Sequence, residues 1–233
     1  PWFGTESIEE AGAALEALGE WPSVADLGAV PERLGCLRFS LACARMAPGD
    51  GGTERRVEDN PPYLPVAALL PAGRAALAQI APKAELGFRT FKWKVGVGDL
   101  ADELSLLDDV VAGLPPGSKL RLDANGAWDR RQAGRWLDRA AERPVEFIEQ
   151  PVARDARGAE DVLRGLAGDF PTPIALDESL AGAGDVERWL AADWPGIFVI
   201  KPALLGDPFP VMARLADALD TPPSAWTPGG PGA

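Results

Sequence analysis

Phe88-Arg-Thr-Phe-Lys-Trp-Lys-Val95 is the stretch on which the fold turns. Its residues alternate, so as a strand it puts Lys92 and Lys94 on one face and Phe91, Trp93 and Val95 on the other. Apolar runs of similar length recur at 66–70, 119–125, 146–149, 174–177 and 197–201. Helical patterns fill the intervals, at 72–80, 100–114, 129–142, 161–169, 185–191 and 210–219. Strand and helix alternate throughout, which calls for an α/β fold with a parallel sheet and right-handed crossovers. A doubly wound sheet and a (β/α) barrel both satisfy that rhythm, and periodicity does not choose between them. A parallel strand is normally covered on both faces, so two lysines pointing inward are costly unless they face a polar site.

The other strands end in charge as well. They close with Leu122-Asp123-Ala124-Asn125, Ile148-Glu149-Gln150, Leu176-Asp177-Glu178 and Ile200-Lys201-Pro202. From Lys94 to Asp123, Glu149, Asp177 and Lys201 the intervals are 29, 26, 28 and 24 residues. Each interval is about one βα unit, which places all five at the C-terminal rim of a parallel sheet, where such folds build their sites. Asp123, Glu149 and Asp177 make an all-oxygen donor set suited to Mg²⁺ or Mn²⁺. Lysines flanking them reach a metal-bound substrate from both sides. One acidic residue at a strand end is ordinarily a helix cap or a solvated loop residue. Three at successive ends, between two lysine-bearing strands, are not explained that way. The lysine pair alone would serve as an edge-strand device, but that leaves Lys201, after Ile197-Phe-Val-Ile200, without a reason. Gly96 and Gly98 form a lone GxG and do not make a dinucleotide fingerprint. Trp128, Trp136, Trp189 and Trp194 read as packing residues.

Composition removes several chemistries. The 233 residues contain no histidine, so imidazole bases, histidine triads and histidine metal sites are excluded. Two cysteines are too few for a four-cysteine zinc site. Cys36 and Cys43 lie seven apart in a helical stretch, about 10 Å along its axis and beyond disulfide reach. They read as small core residues of a reduced, cytoplasmic protein. A net charge of −12 argues against nucleic acid or an anionic membrane as partner, and no apolar run has the ~18 residues of a membrane helix. A chain opening on Pro1 reads as processed, trimmed or incomplete. Residues 1–46 look helical: Ser7 and Glu10 form a capping-box pattern, and a further helix begins at Pro31 and carries Leu34, Leu37, Leu41 and Ala44. Residues 47–63, rich in Gly, Pro and charge, read as a domain boundary.

These motifs, taken in order, resemble those of the enolase superfamily. Phe91-Lys-Trp-Lys-Val95, Leu120-Arg-Leu-Asp-Ala-Asn-Gly126, Phe147-Ile-Glu-Gln-Pro151, Ile174-Ala-Leu-Asp-Glu-Ser179 and Val199-Ile-Lys-Pro202 are similar to its muconate-lactonizing subgroup, and most to the o-succinylbenzoate synthases. The resemblance implies a capping domain and a modified barrel. Residues 1–60 would be part of the cap, 61–220 a partial TIM-like (β/α) barrel with about six of eight strands, and 221–233 a Pro/Gly-rich tail. It implies that Asp123, Glu149 and Asp177 hold Mg²⁺, that Lys94 is the acid/base lysine and Lys92 its electrostatic helper, and that Lys201 is a partner base or a ring-facing cation. Arg121 and Asn125 would orient ligands or a substrate carboxylate. The implied reaction is dehydration of 2-succinyl-6-hydroxy-2,4-cyclohexadiene-1-carboxylate to 2-succinylbenzoate through an enediolate, in menaquinone or phylloquinone biosynthesis. The same residues also serve dipeptide epimerases and N-acylamino acid racemases of the subgroup. A non-catalytic fragment is a further reading. The expected partner is a small carboxylate substrate, with no nucleic acid and no membrane.

Overall fold

A computed structural model describes residues 5–20, 22–45 and 65–219. The expected loop at 47–63 and the tail at 221–233 lie outside the described residues. In chain order come three helices, α1 (Ile8–Leu18), α2 (Val24–Gly28) and α3 (Gly35–Arg45), and then alternating strands and helices. These are β1 (Ala67–Leu70), α4 (Ala75–Glu85), β2 (Thr90–Lys94), α5 (Leu100–Gly113), β3 (Lys119–Asp123), α6 (Arg130–Ala140), β4 (Val145–Glu149), α7 (Ala159–Asp169), β5 (Ile174–Leu176), α8 (Ala183–Ala191) and β6 (Ile197–Phe198). A 3-10 turn (Pro202–Leu204) and α9 (Pro208–Ala218) complete the described chain.

The described residues form two compact units. One contains the chain before Pro65 together with Leu180–Asp193 and the segment beginning at Ile200; the other contains Pro65–Ser179 and Trp194–Val199. In the first unit Val30, Leu34 and Leu37 are buried against Ala11, Ala14, Leu18 and Leu41. Ser7 caps α1 reciprocally with Glu10, as its sequence predicts. The helix expected from Pro31 starts four residues later. Leu34 N–H donates to Pro31 O, so residues 31–34 make a turn before α3. The five-residue α2, capped by Ser23 and Asp26, is too short for its periodicity to announce it. Cys36 is half-buried and Cys43 exposed, contrary to the core reading. Leu34, Leu37 and Leu41 occupy the inner stripe, and the cysteines fall on its flank.

All six strands lie in the second unit, parallel and in the order β1-β2-β3-β4-β5-β6. That order settles what periodicity left open. A doubly wound sheet reverses its strand order part-way, whereas this sheet winds one way throughout, as successive strands of a (β/α) barrel do. Phe91, Trp93, Leu120, Leu122 and Ile148 are fully buried. Trp93 meets Trp136 edge-on at 6.2 Å, and Trp136 stacks on Trp128 at 5.2 Å. These tryptophans pack, as expected, while the alternate residues of β2 and β3 carry the charge. β6 is shorter than the predicted 197–201 and ends at Phe198, so Lys201 follows it by three residues. None of the described helices is long and apolar enough to cross a membrane.

A candidate active site at the strand ends

Register turns the alternating pattern into a site. Lys94 pairs with Asp123 across β2 and β3, and Asp123 with Glu149 across β3 and β4. Asp177 is the first residue after β5. The C-terminal rim of the second unit therefore carries Lys92, Lys94, Asp123, Asn125, Glu149 and Asp177 on neighbouring strands. Lys201 belongs to the first unit, just ahead of the 3-10 turn.

Lys92 is at the centre of the charge. Its Nζ donates to Glu149 Oε1 at 2.7 Å and to Asp123 Oδ2 at 2.8 Å, and the three side chains are 20%, 2% and 10% exposed. Burial works against the ammonium, but the Glu149 and Asp123 carboxylates outweigh it and hold the Lys92 pKa above the ordinary lysine value. Burial also dominates at Glu149; with the charges of Asp123 and Asp177 it pushes that carboxyl up to about 8, against the pull of Lys92. The donors that Asp123, Glu149 and Asp177 bring to this rim are all oxygen, the kind that a hard cation takes. As arranged, with Lys92 holding Asp123 and Glu149, no three acidic or cysteine side chains among the described residues converge in ligating geometry.

Lys94 is exposed, and its Nζ donates to Asn125 Oδ1. Asn125 Nδ2 donates to Glu178 Oε1 at 3.0 Å, and Asn125 N–H donates to Asp123 Oδ1 at 3.1 Å. Asn125 thus ties the exposed lysine to the strand ends around it. It takes a left-handed conformation, φ 44°, which Asn tolerates better than most residues. Arg121, expected to orient a ligand, is engaged with β4. Its Nε donates to Glu146 Oε2 at 2.6 Å and its guanidinium lies 4.9 Å from the Phe147 ring.

Two residues of this unit were not singled out from sequence. Glu103 on α5 is buried and accepts from the N–H groups of Gly96, Val97 and Gly98 at 2.8, 3.2 and 3.0 Å. The loop after the lysine strand is therefore closed over a carboxylate of its own chain. The signal was present: Glu103 stands among Leu100, Leu104 and Leu107, where helical spacing calls for an apolar residue. The second is Gln150, fully buried directly after Glu149; a polar side chain at the end of a buried strand was its signal.

Residues 75–232 match the family described as enolase C-terminal domain-like. The chain belongs to the enolase C-terminal domain-like family. Within this superfamily it is similar to the o-succinylbenzoate synthase of Thermosynechococcus vestitus, 41% identical over 211 residues, which are 89% of this chain and 63% of that protein. The crystal structure of o-succinylbenzoate synthase from Thermosynechococcus elongatus BP-1, complexed with Mg in its active site, superposes with a TM-score of 0.81 at 38% identity. That match covers 93% of this chain and 66% of the other. A hydrophobic dipeptide epimerase of Roseobacter litoralis is 42% identical over 95 residues, 40% of this chain and 27% of that protein. The chain thus spans a little under two thirds of the length of the synthases it matches. Its six parallel strands in unbroken order are the enolase-type barrel strands that the motifs implied.

Proposed function

We propose that this chain carries the metal-binding and proton-transfer groups of an o-succinylbenzoate synthase, a hydro-lyase. The observation that carries the reading is the buried centre at the ends of β2, β3 and β4, where Lys92 bridges Asp123 and Glu149 beside Asp177. The similarity to synthases at 41% and 38% identity supports it. Asp123, Glu149 and Asp177 would hold Mg²⁺ or Mn²⁺. Bound there, a divalent cation supplies Lewis-acid stabilisation for the charge that develops on a substrate carboxylate when the adjacent C–H bond breaks.

The protein's own groups then have separate tasks. Lys92 keeps Asp123 and Glu149 paired and compensates their charge. Lys94, exposed at the rim and held by Asn125, takes the proton α to the substrate carboxylate. It returns that proton to the hydroxyl on the neighbouring ring carbon, whose C–O bond breaks so that water leaves and the ring becomes aromatic. Lys201 is assigned the role of partner base or ring-facing cation on the strength of Val199-Ile-Lys-Pro202 alone. Menaquinone or phylloquinone biosynthesis is the setting this product implies.

The test is a mass-spectrometric assay of the full chain with Mg²⁺ and 2-succinyl-6-hydroxy-2,4-cyclohexadiene-1-carboxylate. We expect 2-succinylbenzoate from the wild type and none from Lys94→Ala, whose Mg²⁺ affinity stays close to wild type. Turnover retained in Lys94→Ala would overturn the assignment of that lysine. A second reading, epimerisation of a dipeptide by the same lysines, is favoured by the match to the Roseobacter enzyme. Deuterium uptake at a dipeptide α-carbon without dehydration would support it instead.

A further inference from the structure

Gln150 has every hydrogen-bonding group engaged, and all its side-chain partners lie on the segments that leave β4 and β5. Its own N–H donates to Ala175 O at 2.8 Å, extending the ladder between those strands. Its backbone then enters the left-handed region, φ 37°, uncommon for a residue other than Gly or Asn. The side chain reaches across to the end of β5. Oε1 accepts from Asp177 N–H at 3.0 Å and from Ser179 N–H at 3.1 Å. Nε2 donates to Ser179 Oγ at 2.8 Å and to Val152 O at 2.9 Å. A primary amide has two donors and two acceptor positions, and all four are used.

We propose that Gln150 is a positioning residue for the acidic centre: by clamping the backbone of Asp177 to the end of β4, it sets the Asp177 carboxylate beside Glu149 for joint binding of one divalent cation. The proposal rests on the reading of Asp123, Glu149 and Asp177 as metal ligands given above. The amide is suited to the task in a way its neighbours in size are not. Methionine would fill the same space and leave two buried N–H groups without acceptors. Glutamate would set an oxygen against Val152 O and add a negative charge next to Glu149. The outer-shell contacts of a metal site orient its ligands, and their loss typically weakens metal affinity about 10- to 100-fold. A glutamine that served only to stabilise the fold would lower stability when replaced and leave the affinity of the folded protein unchanged.

The experiment measures Mn²⁺ binding to the full chain by the electron paramagnetic resonance signal of the free ion, at a temperature where each variant is folded by circular dichroism. Gln150→Met is compared with Thr172→Val. The control removes the bond from Thr172 Oγ1 to Leu137 O, 2.9 Å, buried in the same unit before the opposite end of β5 from Asp177. We expect Gln150→Met to raise the Mn²⁺ Kd about 10- to 100-fold and Thr172→Val to leave it unchanged. In metal-free protein the amides of Asp177 and Ser179 are expected to exchange faster in Gln150→Met alone. A folded Gln150→Met with the wild-type Kd overturns the proposal while leaving the metal centre in place. Failure of the wild type to bind Mn²⁺ removes the metal centre itself, and the proposal with it. Should Gln150→Met not fold, Ser179→Ala, which removes one partner of Nε2, is expected to raise Kd several-fold, and an unchanged Kd there counts against the proposal.

Discussion

Arg121 shows how far alternation carries at the level of single residues. The period of two correctly places it on the Asp123 side of β3, but its partner depends on the neighbouring strand. Between Leu120 and Arg121 the pairing with β4 shifts, from Val145 to Phe147, and skips Glu146. The skipped carboxylate accepts from Lys119 Nζ at 2.8 Å and from Arg121 Nε at 2.6 Å. Burial pushes the Glu146 carboxyl up, but these two cations outweigh it and hold its pKa below the ordinary glutamate value. A carboxylate lowered in this way stabilises the fold above its unfolded pKa, and the contribution is lost as pH falls through the folded one. Glu146→Gln should therefore melt lower than wild type at neutral pH and lose less on acidification below pH 4.5. Thermal melts from pH 7 down to pH 3 check this; parallel curves would remove the claim. A register shift has no local signature in the sequence, so Arg121 could be placed on a face but not with its partner.

Elements with a strong local code were legible and those without one were not. The Ser7–Glu10 capping box marked the start of α1, and β2 and β3 announced themselves by alternation. The short α2 offered no such period, and the apolar run at 197–201 announced β6 but not its end at Phe198. At β6 a close approach matters instead: a Cβ on Gly196 would lie 2.2 Å from Ile174 O, so only glycine lets this segment reach β5. The connection from β2 to α5 depends on one long side chain, Glu103, which holds three amides of the loop. Glu103→Gln keeps the shape but turns a donor toward those amides. It should lower stability by about 1–3 kcal/mol, read from urea unfolding, and a change within error would mean that the loop holds itself.

For the molecule as a whole, the winding of the sheet and the electrostatics of its rim matter most. The net charge of −12 is spread along the chain, yet the strand ends place Asp123, Glu149 and Asp177 on neighbouring strands, with the Lys92 ammonium bridging the first two. A cation held there stabilises the folded state by mass action. At about 100 times its Kd, Mg²⁺ should add about 2.7 kcal/mol, which raises the melting temperature of a chain this long by roughly 5–11 °C. Asp123→Asn should abolish the shift, and sodium chloride at equal ionic strength should not reproduce it. An equal shift with either salt would reduce the effect to general charge screening.

Periodicity, strand-end residue types and their spacing were enough to reach an α/β chain with six parallel strands, a lysine pair and three carboxylates at one rim. Those features repeat over two to four residues or recur once per βα unit, so they are visible without the fold. The direction of winding, the pairing of Lys92 with Glu149 across 57 residues and the clamp of Gln150 on Asp177 across 27 were not visible. Each depends on which strand lies beside which and in what register. That is set by packing between segments distant in the chain, where a hydrogen bond has a partner only after the sheet has formed.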